Sequence, residues 1–95
     1  MPPEAVAELL ATEAAIDKLG ARGITTEEAR QVPRNAHVLV RNPRDEPAGR
    51  RRLLIGRTNG SRPLTLVIER TVDPTTWLIV TGWDSSPRER RLLRS

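Results

Sequence analysis

The chain has no cysteine, no phenylalanine and no tyrosine, and it carries one histidine and two tryptophans in 95 residues. Without cysteine there are no disulfide staples, no thiolate nucleophile and no sulfur-ligated metal. His37 stands alone, and one imidazole does not make a metal site. No Gly-rich phosphate loop, HExxH helix or nucleophile elbow accompanies it, so neither metal nor cofactor is expected. Trp77 and Trp83 are the only rings, which leaves little of the stacking surface that single-strand readers use. No apolar run approaches the roughly 20 residues needed to cross a bilayer. Glu4 and Glu8 sit where a secretory leader would be positive, so a cytoplasmic location and no membrane are expected.

What the chain has instead is arginine. Fifteen of its sixteen basic residues are Arg, within a net charge of +4. The charge is uneven. Residues 1–33 hold three basic and six acidic side chains, for −3, whereas residues 34–70 hold nine arginines against three acids, for +6. Residues 71–95 add +1. An anionic partner would meet the middle segment, and Arg suits bidentate phosphate contacts better than Lys does.

Pro2-Pro3 fits a first helical turn, and Val6, Leu9, Leu10, Ile16 and Leu19 form an apolar stripe at helical spacing, predicting a helix over 3–19 stopped by Gly20. Gly23 permits a turn. Thr25 with Glu28 three residues on is a capping box, predicting a second helix to about Gln31, ended by Pro33. Strand-like runs follow at 36–41, 52–58, 63–70 and 76–82. A polar loop over 42–49 separates the first two, and Asn59-Gly60 marks a tight hairpin between the next pair. The runs LLI, LVI and LIV are apolar on both parities, which implies cover on both faces of the sheet. Ser86-Pro87-Arg88-Glu89 is a second capping box with proline in the first turn, predicting a helix from 87 to about 94. The expectation is one α+β domain in the order ααββββα: a four-stranded antiparallel sheet, two N-terminal helices on one face and a C-terminal helix at its end.

Arg57, Arg70, Arg88 and Arg91, with Arg50, Arg51 and Arg52 behind them, are candidates to hold a phosphodiester and spread its developing charge. For any single one of them a solvated strand end is the commoner role, because charged residues mostly sit exposed. Glu69 and His37 are candidate proton acceptors; the bland alternatives are a cross-strand ion pair for Glu69 and a half-buried structural ring for His37. Trp83, at the strand end, has the choice of stacking on a base or on an arginine.

Three stretches, LGARGITTEEA (19–29), RRLLIGRTNGSRPLTLVIERT (51–71) and LIVTGWDSSPRERRLL (78–93), resemble the BrnT-type toxins of bacterial toxin–antitoxin systems. Glu69-Arg70 match the family's TER strand end, and Arg88 to Arg91 match its RERR helix start. Arg22 stands where the family has histidine, Ala21 where it has lysine, and Thr81-Gly82-Trp83 where it has Ser-Ala-Arg. The resemblance implies a RelE-like α+β fold, a metal-independent ribonuclease that blocks translation by acting on RNA, ribosome-associated RNA included, and a cognate antitoxin partner. In that mechanism Arg70 and Arg88 hold the scissile phosphate, Arg57 and Arg91 position the RNA, and Glu69 or His37 takes the proton. The alternative is a non-catalytic basic module binding nucleic acid or an acidic protein. A homodimer through the edge strand 36–41 is a third expectation.

Overall fold

The computed structural model describes residues 4–42 and 49–93. Its elements are β1 (Glu8–Ala11), α1 (Glu13–Gly20), α2 (Thr26–Gln31), a single 3₁₀ turn (Val32–Arg34), β2 (His37–Arg41), β3 (Arg51–Arg57), β4 (Pro63–Arg70), β5 (Thr76–Asp84) and α3 (Pro87–Arg91). The class is α+β. The four-stranded antiparallel sheet and the ααββββα order are overturned: the sheet has five strands in the order β1-β5-β4-β3-β2, with β1 parallel to β5 and the other pairs antiparallel. The expected loop over 42–49 lies mostly outside the described residues, as do the start and end expected for the first and last helices.

The expected helix 3–19 divides at Thr12. Its side chain accepts the Ala15 N–H at 3.1 Å and starts α1, while the preceding four residues run as strand. Leu9 and Leu10 then point to opposite faces, as a two-residue period requires. Leu9 is buried opposite Trp77, and Leu10 faces out opposite Leu78. Ile16, expected in the apolar stripe, is 47% exposed, and Ala15 and Leu19 carry the packing of α1. What favours the strand is the open edge of β5, whose backbone groups β1 satisfies.

Both capping boxes form. Thr25 exchanges hydrogen bonds with Glu28, and Ser86 with Glu89, so α2 and α3 begin where the sequence places them. Pro33 sits inside the 3₁₀ turn that extends α2. Gly23, at φ +70°, turns the chain between α1 and α2.

The core lies between the helices and one sheet face. Leu54, Leu64, Leu66, Ile68, Trp77 and Ile79 from the strands meet Leu19, Ile24, Ala29 and Val32. An irregularity after Val67 sets it opposite Thr81 while Ile68 faces Ile79, leaving Val80 as the extra residue. Such a bulge lets Ile79 and Gly82 share the helix-side face. A Cβ on Gly82 would lie 2.7 Å from Leu66 Cδ2 and 3.0 Å from Leu19 Cδ2, so the missing side chain is what seats α1 on β5. At one end of the opposite face, just before α3, Thr65 and Ser85 share a buried 2.8 Å hydroxyl hydrogen bond. Ile55 and Val67 are buried on that face, whereas Leu53, Leu78 and Val80 are only half-buried.

Candidate nucleic-acid interface

The strand register sorts the candidate residues into two groups. His37 pairs with Gly56, Gly56 with Leu64 and Leu64 with Asp84, so Arg57 and the α3 residues Arg88 and Arg91 belong to one end of the sheet. Arg41 pairs with Arg52, Arg51 with Glu69 and Arg70 with Trp77, which defines the other end. Arg70 lies six positions beyond Leu64 along β4, about 20 Å at strand rise. Arg70 and Arg88 therefore do not converge on one phosphate.

At the Arg70 end, Arg51, Arg52 and Arg70 already hold carboxylate partners, whereas Arg50 has none among the described residues. Arg51 Nε donates to Glu69 Oε1 at 3.0 Å across the β3–β4 ladder, so Glu69 is the cross-strand ion pair. Arg52 Nε donates to Glu4 Oε1 at 2.9 Å, and its Nη1 donates to the Gly49 and Arg51 carbonyls. Arg70 pairs with the same Glu4 carboxylate, and its guanidinium lies 5.3 Å from the Trp77 ring centroid. Glu4 had no signal in the sequence, because it meets partners 48 and 66 positions away.

At the other end the hairpin loop differs from the one expected. A tight two-residue turn at Asn59-Gly60 needs positive φ at both residues, yet the positive φ falls on Ser61, at 69°. Ser61 N–H donates to the Thr58 carbonyl and Thr58 N–H to the Arg62 carbonyl, giving a three-residue loop closed by a left-handed residue. The Thr58 hydroxyl accepts the Arg62 N–H, and Gln31 accepts the Asn59 N–H, so contacts outside the dipeptide decide the turn. Asn35 Nδ2 donates to the Arg57 carbonyl at 2.9 Å and to Asn59 Oδ1 at 3.1 Å. Asn35, Ala36, Arg57, Thr58, Asn59 and Ser61 line an open cleft of about 480 Å³.

His37 is exposed beside that cleft, with Nδ1 2.8 Å from the Asn35 carbonyl oxygen. A carbonyl only accepts, so Nδ1 carries the proton of the neutral ring and Nε2 keeps a lone pair. A Cβ on Gly56 would lie 2.9 Å from His37 Cβ and 2.8 Å from Val32 Cγ1; glycine makes the room that lets β2 and the 3₁₀ turn close on β3. Arg57 is one residue past Gly56 and so on the opposite pleat from His37. Its Nη1 reaches only the Ser61 carbonyl, at 3.2 Å.

Arg62 fastens this end. It donates to both Asp84 oxygens at 2.7 and 3.1 Å, to Glu28 and to the Gly23 and Arg22 carbonyls. The hydrogen bond from Arg62 lowers the Asp84 pKa. Glu28 is lowered first by the Thr25 backbone N–H and then by Arg62, and Arg62 itself is raised, chiefly by Asp84. Trp83 takes the arginine option: Arg22 lies 6.0 Å from its centroid, and its indole N–H donates to Glu89 at 3.1 Å. Burial pushes Glu89 up, but hydrogen bonds from Ser86 and Trp83 outweigh it and leave its pKa lowered.

These contacts consume the acids. Beyond Arg50 the four acidic side chains are Glu69, Asp73, Asp84 and Glu89. They are held by Arg51, by the Thr75 N–H and hydroxyl, by Arg62, and by Ser86 with Trp83. Arg50, Arg57, Arg88 and Arg91 have no carboxylate partner among the described residues. Among those residues no group of acidic or histidine side chains could hold a metal ion, and no helix is long and apolar enough to cross a membrane.

The structural class is thus a small α+β protein with a mixed five-stranded sheet and a cationic hairpin end. No protein-family model matches the chain, no curated protein matches it, and no solved structure matches it.

Proposed function

We propose that this protein binds the phosphate backbone of single-stranded RNA at the sheet end formed by Arg57, Arg88 and Arg91. The carrying observation is the unneutralised charge there: the nearby acids are tied to other groups, while these guanidiniums lack a carboxylate partner among the described residues. A paired arginine has its field cancelled, whereas these three offer it to an incoming phosphate. The longest helix has eight residues and the last has five, which suits backbone contact better than insertion into a groove. With Trp83 engaged by Arg22 and Glu89, binding is sequence-tolerant.

Fluorescence anisotropy with a labelled RNA 12-mer tests this. Three phosphate contacts give a log–log salt slope of about −2, since each contributes about −0.7 on a single strand. Arg57→Ala with Arg88→Ala should flatten the slope by about 1.4 and weaken binding at low salt. An RNA affinity that ignores salt, or a slope that ignores those substitutions, rejects the reading.

The exposed His37, at the same sheet end but on the opposite pleat from Arg57, favours a second reading, cleavage of RNA that wraps round that end. The 2′-oxygen attacks phosphorus, its proton passes to Nε2, and the bond to the 5′-oxygen breaks with water protonating the leaving group, leaving a 2′,3′-cyclic phosphate. The BrnT resemblance extends this reading to inhibited translation in the cytoplasm and an antitoxin partner. Mass spectrometry of incubated RNA decides: cyclic-phosphate ends that vanish in His37→Ala, with binding retained, support cleavage. Intact RNA leaves the binding module.

A further inference from the structure

Arg52 and Arg70 stand on the same sheet face at the end of β3 and β4 remote from the hairpin. Both guanidiniums close on one carboxylate, that of Glu4: Arg52 Nε meets Oε1 at 2.9 Å, Arg52 Nη2 meets Oε2 at 3.3 Å, and Arg70 Nη2 also meets Oε2. The Arg52 fork is held independently of Glu4, because the Gly49 and Arg51 carbonyls accept from its Nη1 at 2.7 and 2.9 Å and only 13% of its side chain is exposed. Arg70 is steadied from the other side by the Trp77 ring, which in turn donates its indole N–H to the Ala5 carbonyl at 3.0 Å. Two oriented guanidiniums facing one carboxylate leave a surplus positive charge, and their forks fit the paired oxygens of a phosphate as well as those of a carboxylate.

Glu4 is exposed and lies at the edge of what holds its segment down. The anchors come after it: Val6 is buried, and the Ala7 and Glu8 N–H groups both donate to the Thr75 carbonyl. The carboxylate can therefore swing out while the segment stays docked. We infer that Arg52 and Arg70 form a second phosphate-binding site, and that Glu4 occupies it as a built-in competitor which an incoming phosphate ester displaces. For the source of that ester the inference rests on the RNA reading above, with free phosphate as the other source of the same chemistry.

The test compares the parent with Glu4→Gln, which keeps the side chain's shape and removes its charge. With the labelled RNA 12-mer, the substitution should tighten binding about 5- to 10-fold and steepen the salt slope by about 0.7, one additional phosphate. Adding Arg70→Ala to Glu4→Gln should cancel both gains. If Glu4→Gln instead gains Tm in phosphate over chloride at equal ionic strength, without tighter RNA binding, the site takes free phosphate. If Glu4→Gln changes neither RNA binding nor the response to phosphate, the inference is overturned. The RNA reading then stands or falls separately, on the parent's own binding and its loss with Arg57→Ala and Arg88→Ala. A purely structural Glu4 would lower Tm without any gain in binding, which also overturns it. In the parent, the Arg52 Nε–H resonance should move on addition of the RNA or phosphate toward its position in Glu4→Gln; a resonance that stays fixed while ligand binds rejects the displacement.

Discussion

Ser61 shows how one backbone angle redirects a local reading. Asn59-Gly60 is a strong hairpin signal because both residues tolerate positive φ, yet here neither uses that tolerance. The loop closes one residue later, and the left-handed position falls to a serine with φ of 69°. For a residue with a Cβ that conformation costs roughly 1–2 kcal/mol, part of which glycine would return to unfolded-chain entropy. Ser61→Gly should therefore stabilise the fold by about 0.5–1 kcal/mol, seen as a Tm rise of roughly 3–6 °C. Ser61 offers its carbonyl to Arg57 and its N–H to Thr58, both backbone groups that glycine retains. A Tm that falls on substitution would mean the side chain is needed after all.

At the scale of elements, the sequence discloses what three or four neighbouring residues decide. The capping boxes at Thr25 and Ser86, the turn at Gly23 and the apolar strands were legible because each rests on local hydrogen bonds or local periodicity. β1 was not legible, since four residues cannot separate a strand's period from a helix's, and the deciding partner, β5, lies nearly 70 positions on. The candidate site was half legible: the cationic hairpin and α3 were visible as charge, but the partners that neutralise Arg52, Arg62 and Arg70 come from distant sequence. Arg62 has a consequence for pH. Asp84 and Glu28 both have pKa values lowered in the fold, so the unfolded chain binds their protons more readily. Their contribution is complete above the unfolded values near pH 4 and is lost as pH falls through the lowered folded ones. Their side chains remain 59% and 29% exposed, so solvent screens the effect. Asp84→Asn should reduce Tm at neutral pH and make its decline between about pH 5 and pH 3 shallower than the parent's. Parallel acid limbs for the two proteins would show that the clasp carries no linked protons.

Across the whole molecule stability is graded from the middle of the sheet outward. β4 is paired on both sides, and Leu64 to Ile68 are buried without exception. β1 has one neighbour, four paired residues and a parallel ladder. Its main anchor is Leu9 beneath Trp77, and burying a leucine is worth roughly 1.5–3 kcal/mol, against about 5–15 kcal/mol for global unfolding of a domain. The segment from Glu4 through Ala11 should therefore open without the rest, as a sub-global unit. Native-state hydrogen exchange should find the Ala7 and Glu8 amides at least about 100-fold less protected than those of Leu66 and Val67. Leu9→Ala should widen that gap by emptying the anchor while leaving β4 exchange governed by global unfolding. The same opening uncovers Arg52 and Arg70 together, which ties the grading of stability to access at the Glu4 site. Equal protection in β1 and β4 would mean the segment unfolds only with the whole sheet. The Glu4 carboxylate would then be left to swing on its own side-chain torsions, with the strand fixed beneath it.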